Sequence, residues 1–161
     1  MLPTGLDNLK ATLDRLNRAR LGLAGAAPAV ELAAAEREIE RVHRPSVRLA
    51  IYGTLAPGKV NHHHIADLGG AWHDAAVRGR LDRVGHGEHK GLPAIVLDRA
   101  APPHPLRLLA CEGLPGAWGR LDAFEGAEMQ RLLVPLEDAA GALAGVANIY
   151  ALRRAMIAAL G

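Results

Sequence analysis

One carboxylate in the chain stands where an apolar side chain is expected. The segment "PGAWGRLDAFEG" has the pattern of an amphipathic helix, and a period of 3.6 residues places Trp118, Leu121, Asp122 and Glu125 on one face. Glu125 therefore lies beside bulky apolar residues, and Gly126 directly after it suits the C-cap of the helix. Burial and the negative end of the helix dipole both raise the pKa of a carboxyl group. This pattern predicts a group that accepts and returns a proton near neutral pH.

The same pattern leaves structural alternatives for this glutamate. Glu125 could form an ion pair with an arginine such as Arg131, or the helix could end early and leave the side chain in water. Asp122, one turn earlier on the same face, is the rival candidate for a base.

A second stretch with chemical potential is "AIYGTLAPGKVN", from Ala50 to Asn61. An apolar strand runs directly into Tyr52-Gly53-Thr54-Leu55, and the glycine lets backbone N–H groups approach a ligand closely. Successive N–H groups in a turn can bind a carboxylate or stabilise an oxyanion. The spacing and the lysine of a Walker phosphate loop are missing. An ordinary turn has a similar composition, so both interpretations stay open for this stretch alone.

Two helices are predicted ahead of these segments. Apolar residues recur at helical spacing over 6–16 and again over 31–42, and "LGLAGAAP" between them is typical of a helix–helix connection. The sequence thus predicts an N-terminal helical hairpin (1–45) followed by a body (46–161). The hairpin is expected to pack on the body or on a second subunit, as in a homodimer formed through these helices.

The body contains six short apolar runs bounded by Gly, Pro and Asp, which predict strands. They are "VRLAIY", "AAVRGRL", "LPAIVLD", "PLRLLAC", "RLLVPLE" and "GVANIYAL". Two helical segments interrupt them, a short one after Asn61 and the "PGAWGRLDAFEG" helix. Strands that follow one another with few helices favour antiparallel pairing, so we expect an α+β fold with a small mixed or antiparallel curved sheet or barrel.

Composition excludes several classes of function. The net charge is +2 and the chain has 2 Trp, 2 Tyr and 1 Phe, too few aromatic residues to favour stacking on nucleic-acid bases. No run approaches the ~20 apolar residues of a membrane-spanning helix, and the first residues lack the order of a signal peptide. The one cysteine, Cys111, lies in an apolar run. A soluble cytoplasmic protein that acts on a small molecule is expected.

Five short segments, taken together and in order, resemble the gamma-glutamylcyclotransferase-like superfamily, which includes the gamma-glutamylamine cyclotransferases. They cover about 49–153 of the chain. The segments are "IYGTLAPGKVNHH" (51–63), "VRGRL" (77–81), "GLPAIVLD" (91–98), "RLDAFEG" (120–126) and "ANIYAL" (147–152).

The resemblance implies a mixed fold on a small barrel and a cyclisation reaction that releases 5-oxoproline. It implies that Glu125 is the catalytic acid/base and that a gamma-glutamyl compound binds in one cavity. No cofactor and no metal are implied. The candidate substrate-binding residues are Tyr52, Gly53, Thr54, Leu55, Asn61, Arg131 and Tyr150. Asn61 also suits the N-cap of the short helix that follows it, and Tyr150 could point into the cavity or into the core.

Three features depart from the superfamily's pattern. Met129 stands where the family commonly has a tyrosine, although Arg131 fits the arginine that follows. The segment "DRVGHGEHK" (82–90) resembles an insertion at the mouth of the pocket, and the N-terminal hairpin lies outside the resemblance.

Other chemistries are disfavoured on the sequence. His62, His63 and His64 are consecutive, so on a helix they fan out around the axis and cannot all bind one zinc ion. Cys111 lies in a predicted strand without an evident activating base, which favours a packing role. A non-catalytic module that binds a small acidic metabolite remains the alternative function, with the hairpin as its assembly surface. The identity of the released amine stays open.

Overall fold

The chain begins with a pair of helices. The computed structural model describes residues 5–25 and 27–161. Helix α1 spans Gly5–Arg20 and helix α2 spans Ala29–His43, which confirms both predicted helices and extends each of them. Arg44 is the C-cap of helix α2 and takes up a left-handed conformation (φ 50°) before Pro45. The proline explains this end, because the residue before a proline is disfavoured in the helical region.

The six predicted strands are all present. They are β1 (Arg48–Ile51), β2 (Ala71–Arg83), β3 (Pro93–Leu97), β4 (Pro103–Ala110), β5 (Met129–Glu137) and β6 (Leu143–Leu152). The predicted helix α3 spans Leu114–Glu125 between β4 and β5. The short helix expected after Asn61 consists of two single 3₁₀ turns, His62–His64 and Ala66–Leu68. A further helix, α4 (Arg153–Leu160), follows β6 where the sequence predicted none.

Five of the strands close into a barrel. Hydrogen bonds join neighbours in the order β1-β4-β2-β3-β6, and β6 pairs back with β1 to complete the ring. The β1–β6 and β3–β6 pairs are parallel and the other pairs of the ring are antiparallel, so the barrel is mixed. Strand β5 is additional and runs antiparallel to β6. The predicted α+β class with a small mixed barrel is therefore confirmed.

Apolar side chains from every part of the ring fill the barrel. Leu49, Ile95, Leu109 and Ile149 are each fully buried, and Leu132 of β5 joins the same core. Closure removes the exposed edges that an open sheet of this size would present. Loops form the rim of the barrel at the end where β1 stops, at Ile51.

The helical hairpin packs on the outer strand. The buried side chain of Asn17 donates a hydrogen bond to the carbonyl of Leu133 (2.8 Å) and accepts one from the N–H of Leu133 (2.8 Å). Asn17 thereby takes the place of a neighbouring strand beside β5. A separate apolar cluster joins the hairpin to β5 and β6; its members are Leu13, Leu16, Ile39, Leu133 and Val146. The division into domains 1–45 and 46–161 stays a prediction.

Helix α4 covers the barrel beside β3. Met156 is buried, and its sulfur accepts a hydrogen bond from the N–H of Leu97 at 3.2 Å. Across the described residues, none of the helices is long and apolar enough to cross a membrane.

Candidate active site

A small cavity lies at the rim of the barrel where β1 ends. Its volume is about 50 Å³. Its walls are the end of β1 with the loop 52–55, the β2–β3 loop (84–92), the last turn of α3, and residues of β5 and β6. We call it the inner cavity. It brings together the two segments that the sequence analysis singled out, because Glu125 and the Tyr52–Leu55 loop both line it.

Glu125 is the last residue of α3, and Gly126 follows with a positive φ of 80° as the C-cap. Burial raises the pKa of its carboxyl group to about 7, with a smaller upward contribution from Asp122 and a downward one from His89. Within residues 5–25 and 27–161 the carboxylate forms no hydrogen bond or ion pair. The helix runs through Glu125, so the expected raised pKa is confirmed and the early helix end is not observed.

The neighbouring carboxylate of Asp122 is committed to other partners. Arg131 donates from Nε to Oδ1 (2.9 Å) and from Nη2 to Oδ2 (3.2 Å), and the Tyr150 hydroxyl donates to Oδ1 (2.6 Å). Burial by itself raises the pKa of Asp122, but these hydrogen bonds outweigh it and hold the pKa below its ordinary value. Asp122 is thus an ionised structural carboxylate, and the alternative pair between Arg131 and Glu125 does not form.

The loop after β1 lines the inner cavity with residues 52–55. In the described part of the chain, the N–H groups of Gly53, Thr54 and Leu55 make no hydrogen bond to a protein acceptor. A Cβ placed on Gly53 would meet no atom within 4 Å, so the glycine leaves open space. The loop is held from outside by Asn61, whose Nδ2 donates to Thr54 Oγ1 (2.8 Å) and whose N–H donates to the Thr54 carbonyl (2.9 Å). Unpaired N–H groups on a fixed loop can bind an anion.

Two tyrosines, Tyr52 and Tyr150, line the inner cavity, and their hydroxyl groups donate hydrogen bonds to other residues of the protein. The hydroxyl of Tyr52 donates to the Tyr150 carbonyl (2.5 Å), and the hydroxyl of Tyr150 donates to Asp122. Burial raises the pKa of both phenols well above the ordinary value, so both stay protonated at neutral pH. They shape the cavity and act as neutral donors to the protein itself.

Two of the predicted binding residues lie outside the inner cavity. The amide of Asn61 supports Thr54 and makes no side-chain cap to the 3₁₀ turn that follows. The guanidinium of Arg131 pairs with Asp122 and stacks over the Trp118 ring at 4.5 Å from its centroid. Position along the sequence placed both residues near the site, but only the fold shows which way each side chain points.

His89 is a cavity residue that sequence reasoning did not select. It lies in the β2–β3 loop, within the segment that resembles an insertion, and its ring packs edge-on against Phe124 at 4.8 Å. Its Nε2 lies 2.6 Å from the Phe124 carbonyl and donates to it, which fastens the loop to the end of α3. The one sequence signal was the extra length of this loop, which brings His89 and Val84 to the cavity wall.

Comparison with solved structures identifies the architecture. YkqA from Bacillus subtilis aligns with a TM-score of 0.50 and 23% identity over 66% of this chain and 35% of its own. At5g39720.1 from Arabidopsis thaliana aligns with a TM-score of 0.50 and 18% identity over 67% of this chain and 69% of its own. This chain has the gamma-glutamylcyclotransferase-like fold.

The chain spans about a third of the length of YkqA, since 35% of YkqA is covered. An AIG2-like protein from Mus musculus aligns with a TM-score of 0.48 and 18% identity over 65% of this chain and 76% of its own. No protein-family model and no curated protein matches the sequence. The likenesses to YkqA and At5g39720.1 establish the fold alone, and the chemistry has to be argued from the residues.

Cys111 and the consecutive histidines each make contacts of their own. Cys111 is buried beyond the end of β4, and its thiol donates to the Leu68 carbonyl (3.2 Å), away from the inner cavity. His63 and His64 stack on each other at 4.2 Å, and His64 stacks on Phe124. No group of three or more metal-ligating side chains converges among the residues that the structure describes.

Proposed function

We propose that this chain is a cyclotransferase that converts a gamma-glutamyl amide into 5-oxoproline and a free amine. The fold supports an enzymatic role, and the resemblance at 51–63 and 120–126 supports the reaction class. The observation that carries the proposal is that Glu125, whose carboxyl group has a pKa of about 7, lines the same cavity as the 53–55 loop. The N–H groups of that loop have no acceptor in the described part of the chain.

In the proposed reaction the substrate supplies both the nucleophile and the electrophile. Glu125 removes a proton from the α-ammonium group, and the resulting amine attacks the γ-carbonyl carbon to close a five-membered ring. The bond from that carbon to the amide nitrogen then breaks, and Glu125 returns its proton to the departing nitrogen. The ring nitrogen gives up its second proton to the released amine, which leaves as an ammonium ion. One amide bond forms, one breaks, and the proton count is unchanged, so no co-reactant is required.

A carboxyl group with a pKa near 7 suits both halves of this cycle, because it is a better base than an exposed glutamate and still releases its proton at neutral pH. Holding the substrate in a cyclising conformation supplies a further part of the acceleration, since an oriented intramolecular attack avoids the entropy cost of a bimolecular encounter.

The loop after β1 is proposed to bind negative charge. The N–H groups of Gly53, Thr54 and Leu55 would hold the substrate's α-carboxylate or the oxyanion that develops on the γ-carbonyl. Asn61 would keep this loop in position through its two hydrogen bonds to Thr54.

The test is release of 5-oxoproline from a panel of gamma-glutamyl amides by the native chain, by Glu125→Gln and by the control Glu88→Gln. Glu88 is exposed on the β2–β3 loop and does not line the inner cavity. We expect the first variant to lose at least ~100-fold in turnover, as general acid–base catalysis contributes about that much, and the control to keep native turnover. Equal turnover by the native chain and Glu125→Gln would refute the role of the glutamate.

A binding module without turnover is the second candidate. Met129 favours it, because it lines the inner cavity at the position where the superfamily commonly has a tyrosine hydroxyl. Gamma-glutamyl compounds that raise the melting temperature without releasing 5-oxoproline would support this function.

A further inference from the structure

A second cavity lies directly behind one wall of the inner cavity. Its volume is about 510 Å³, within the range of about 300–1,000 Å³ that is typical of small-molecule sites. Met129 and Tyr150 line both cavities and form the wall between them. Arg20 of α1 and Glu36 of α2 contribute to the far side, so the N-terminal hairpin builds part of this cavity. We call it the outer chamber.

The inner cavity alone is too small for a gamma-glutamyl amide. Its volume of about 50 Å³ is well below the ~300 Å³ at the lower end of small-molecule sites. The glutamyl group carries a carboxylate, an ammonium group and an amide carbonyl on its carbon chain, and the amine to be released extends beyond it. A bound substrate therefore extends beyond the inner cavity, either to the solvent at the rim or into the space behind its wall, and the binding test below distinguishes the two.

The shared wall contains one fixed and one adaptable residue. Tyr150 is fixed, because its hydroxyl is bonded to Asp122, which Arg131 clamps in turn. Met129 is buried, but its side chain is unbranched and has three rotatable bonds, so it can move aside at low cost. Rotation of Met129 would join the inner cavity to the outer chamber.

The charges of the outer chamber are arranged by depth. The guanidinium groups of Arg20 and Arg131 are mostly buried, with side chains 23% and 25% exposed, whereas Glu36 and Asp122 are 61% and 46% exposed. Cations thus form the floor and anions lie at the rim. The contact between Arg20 Nη2 and Glu36 Oε1 is long, at 3.4 Å. Burial, more than any neighbouring charge, lowers the pKa of Arg20; Arg131 lowers it further, while Glu36 and Asp122 raise it.

We propose that the outer chamber binds the leaving group of the gamma-glutamyl substrate, and that Arg20 selects leaving groups that carry a carboxylate. The preferred substrates are then gamma-glutamyl amino acids or short peptides, and gamma-glutamyl derivatives of simple amines are poor ones. This inference rests on the proposed function. Arg20 Nη1 is held by Asn148 Oδ1 (2.8 Å), which leaves Nη2 to exchange the long Glu36 contact for the ligand's carboxylate.

The test compares two ligands that differ only in that carboxylate, gamma-glutamyl-alanine and gamma-glutamyl-ethylamide. Their affinities are measured by calorimetry on Glu125→Gln, which leaves both ligands intact if the proposed function holds. We expect the alanine compound to bind at least about tenfold more tightly, because a charge-assisted hydrogen bond is lost in the other. Adding Arg20→Met should remove this preference, and adding Arg37→Met, on an exposed arginine of α2, should keep it.

A second variant covers the case in which Arg20→Met fails to fold. Glu36→Gln removes the competing carboxylate from an exposed position and should tighten binding of the alanine compound by about two- to fivefold, with no change for the ethylamide. Equal affinities for the two ligands, no binding of either, or a preference that survives Arg20→Met would overturn the inference. Release of 5-oxoproline by the native chain is measured in parallel. If the native chain releases none while the binding preference is intact, the proposed function is refuted and the inference about the outer chamber is not.

Discussion

Replacing Glu125 by glutamine should stabilise the folded chain at high pH. The pKa of this carboxyl group is raised from an ordinary value of 4.5 to about 7 by burial. Between these two pH values the folded chain holds a proton that the unfolded chain has released, so stability falls as the pH rises through the window. Above about pH 7 the folded chain bears the full free-energy cost of the buried carboxylate, and below about pH 4.5 this cost vanishes.

The magnitude follows from the size of the shift. About 2.5 pH units at 1.36 kcal/mol per unit gives about 3 kcal/mol as the upper limit. Glu125 keeps some contact with water, which reduces this limit. Glu125→Gln removes the ionisable group, so its free energy of unfolding relative to the native chain should rise by about 1–3 kcal/mol between pH 5 and pH 9.

Urea denaturation of the native chain and of Glu125→Gln at pH 5 and pH 9 measures directly how the stability difference between them changes with pH. Any constant effect of placing an amide at the site cancels, because it is present at both pH values. Glu88→Gln, which changes an exposed glutamate, provides the control and should show no such difference. A stability difference between Glu125→Gln and the native chain that is the same at pH 5 and pH 9 would refute the assignment of a raised pKa to Glu125.

Three further predictions test the loop, the histidine and the hairpin. The rate of 5-oxoproline release should fall below about pH 7, because Glu125 becomes protonated there. His89→Gln should move the midpoint of this pH–rate profile upward, because the charge of His89 lowers the pKa of Glu125. An unchanged midpoint would contradict the electrostatic coupling between the two residues. Gly53→Ala should leave the melting temperature unchanged, since the added methyl group meets no atom within 4 Å. The same variant should raise KM, because the methyl group occupies space that the ligand needs. An unchanged KM would show that the loop does not contact the ligand. Asn17→Ala should lower the free energy of unfolding by about 2–4 kcal/mol, because it leaves two buried backbone groups of β5 unpaired. The exposed Asn8→Ala is the control in denaturant titrations, and equal effects of the two would show that the hairpin is not built into the barrel.

Local patterns predicted most elements of the fold. Helical spacing located α1, α2 and α3, and short apolar runs located all six strands, because periodicity reports which face of each element is buried. Helix α4 was missed because "RRAMIAAL" follows β6 directly, without a turn residue to mark the change. The parallel β1–β6 pair that closes the barrel joins residues about a hundred positions apart, as in Leu49 opposite Asn148, and no local pattern reports such a pairing.

The candidate site was predictable where a residue contradicts its surroundings. Glu125 stood out because a carboxylate on an apolar helix face has to be paired or protonated, and the structure confirms its raised pKa. His89 could not be found in this way, because it reaches the inner cavity through a glycine-containing loop whose path has no periodic signal. The direction of the Arg131 side chain, away from the inner cavity and towards Asp122, likewise depends on tertiary contacts.

The most direct test of the central claim is to identify the products formed from gamma-glutamyl-alanine by mass spectrometry over the course of the reaction. Intramolecular attack predicts 5-oxoproline and free alanine in equal amounts, with no glutamate, at a rate that depends on Glu125. Glutamate as the product would show that water attacks instead of the substrate's own amine. Neither product, at chain concentrations equal to the substrate, would contradict the proposed cyclotransferase activity on this substrate class.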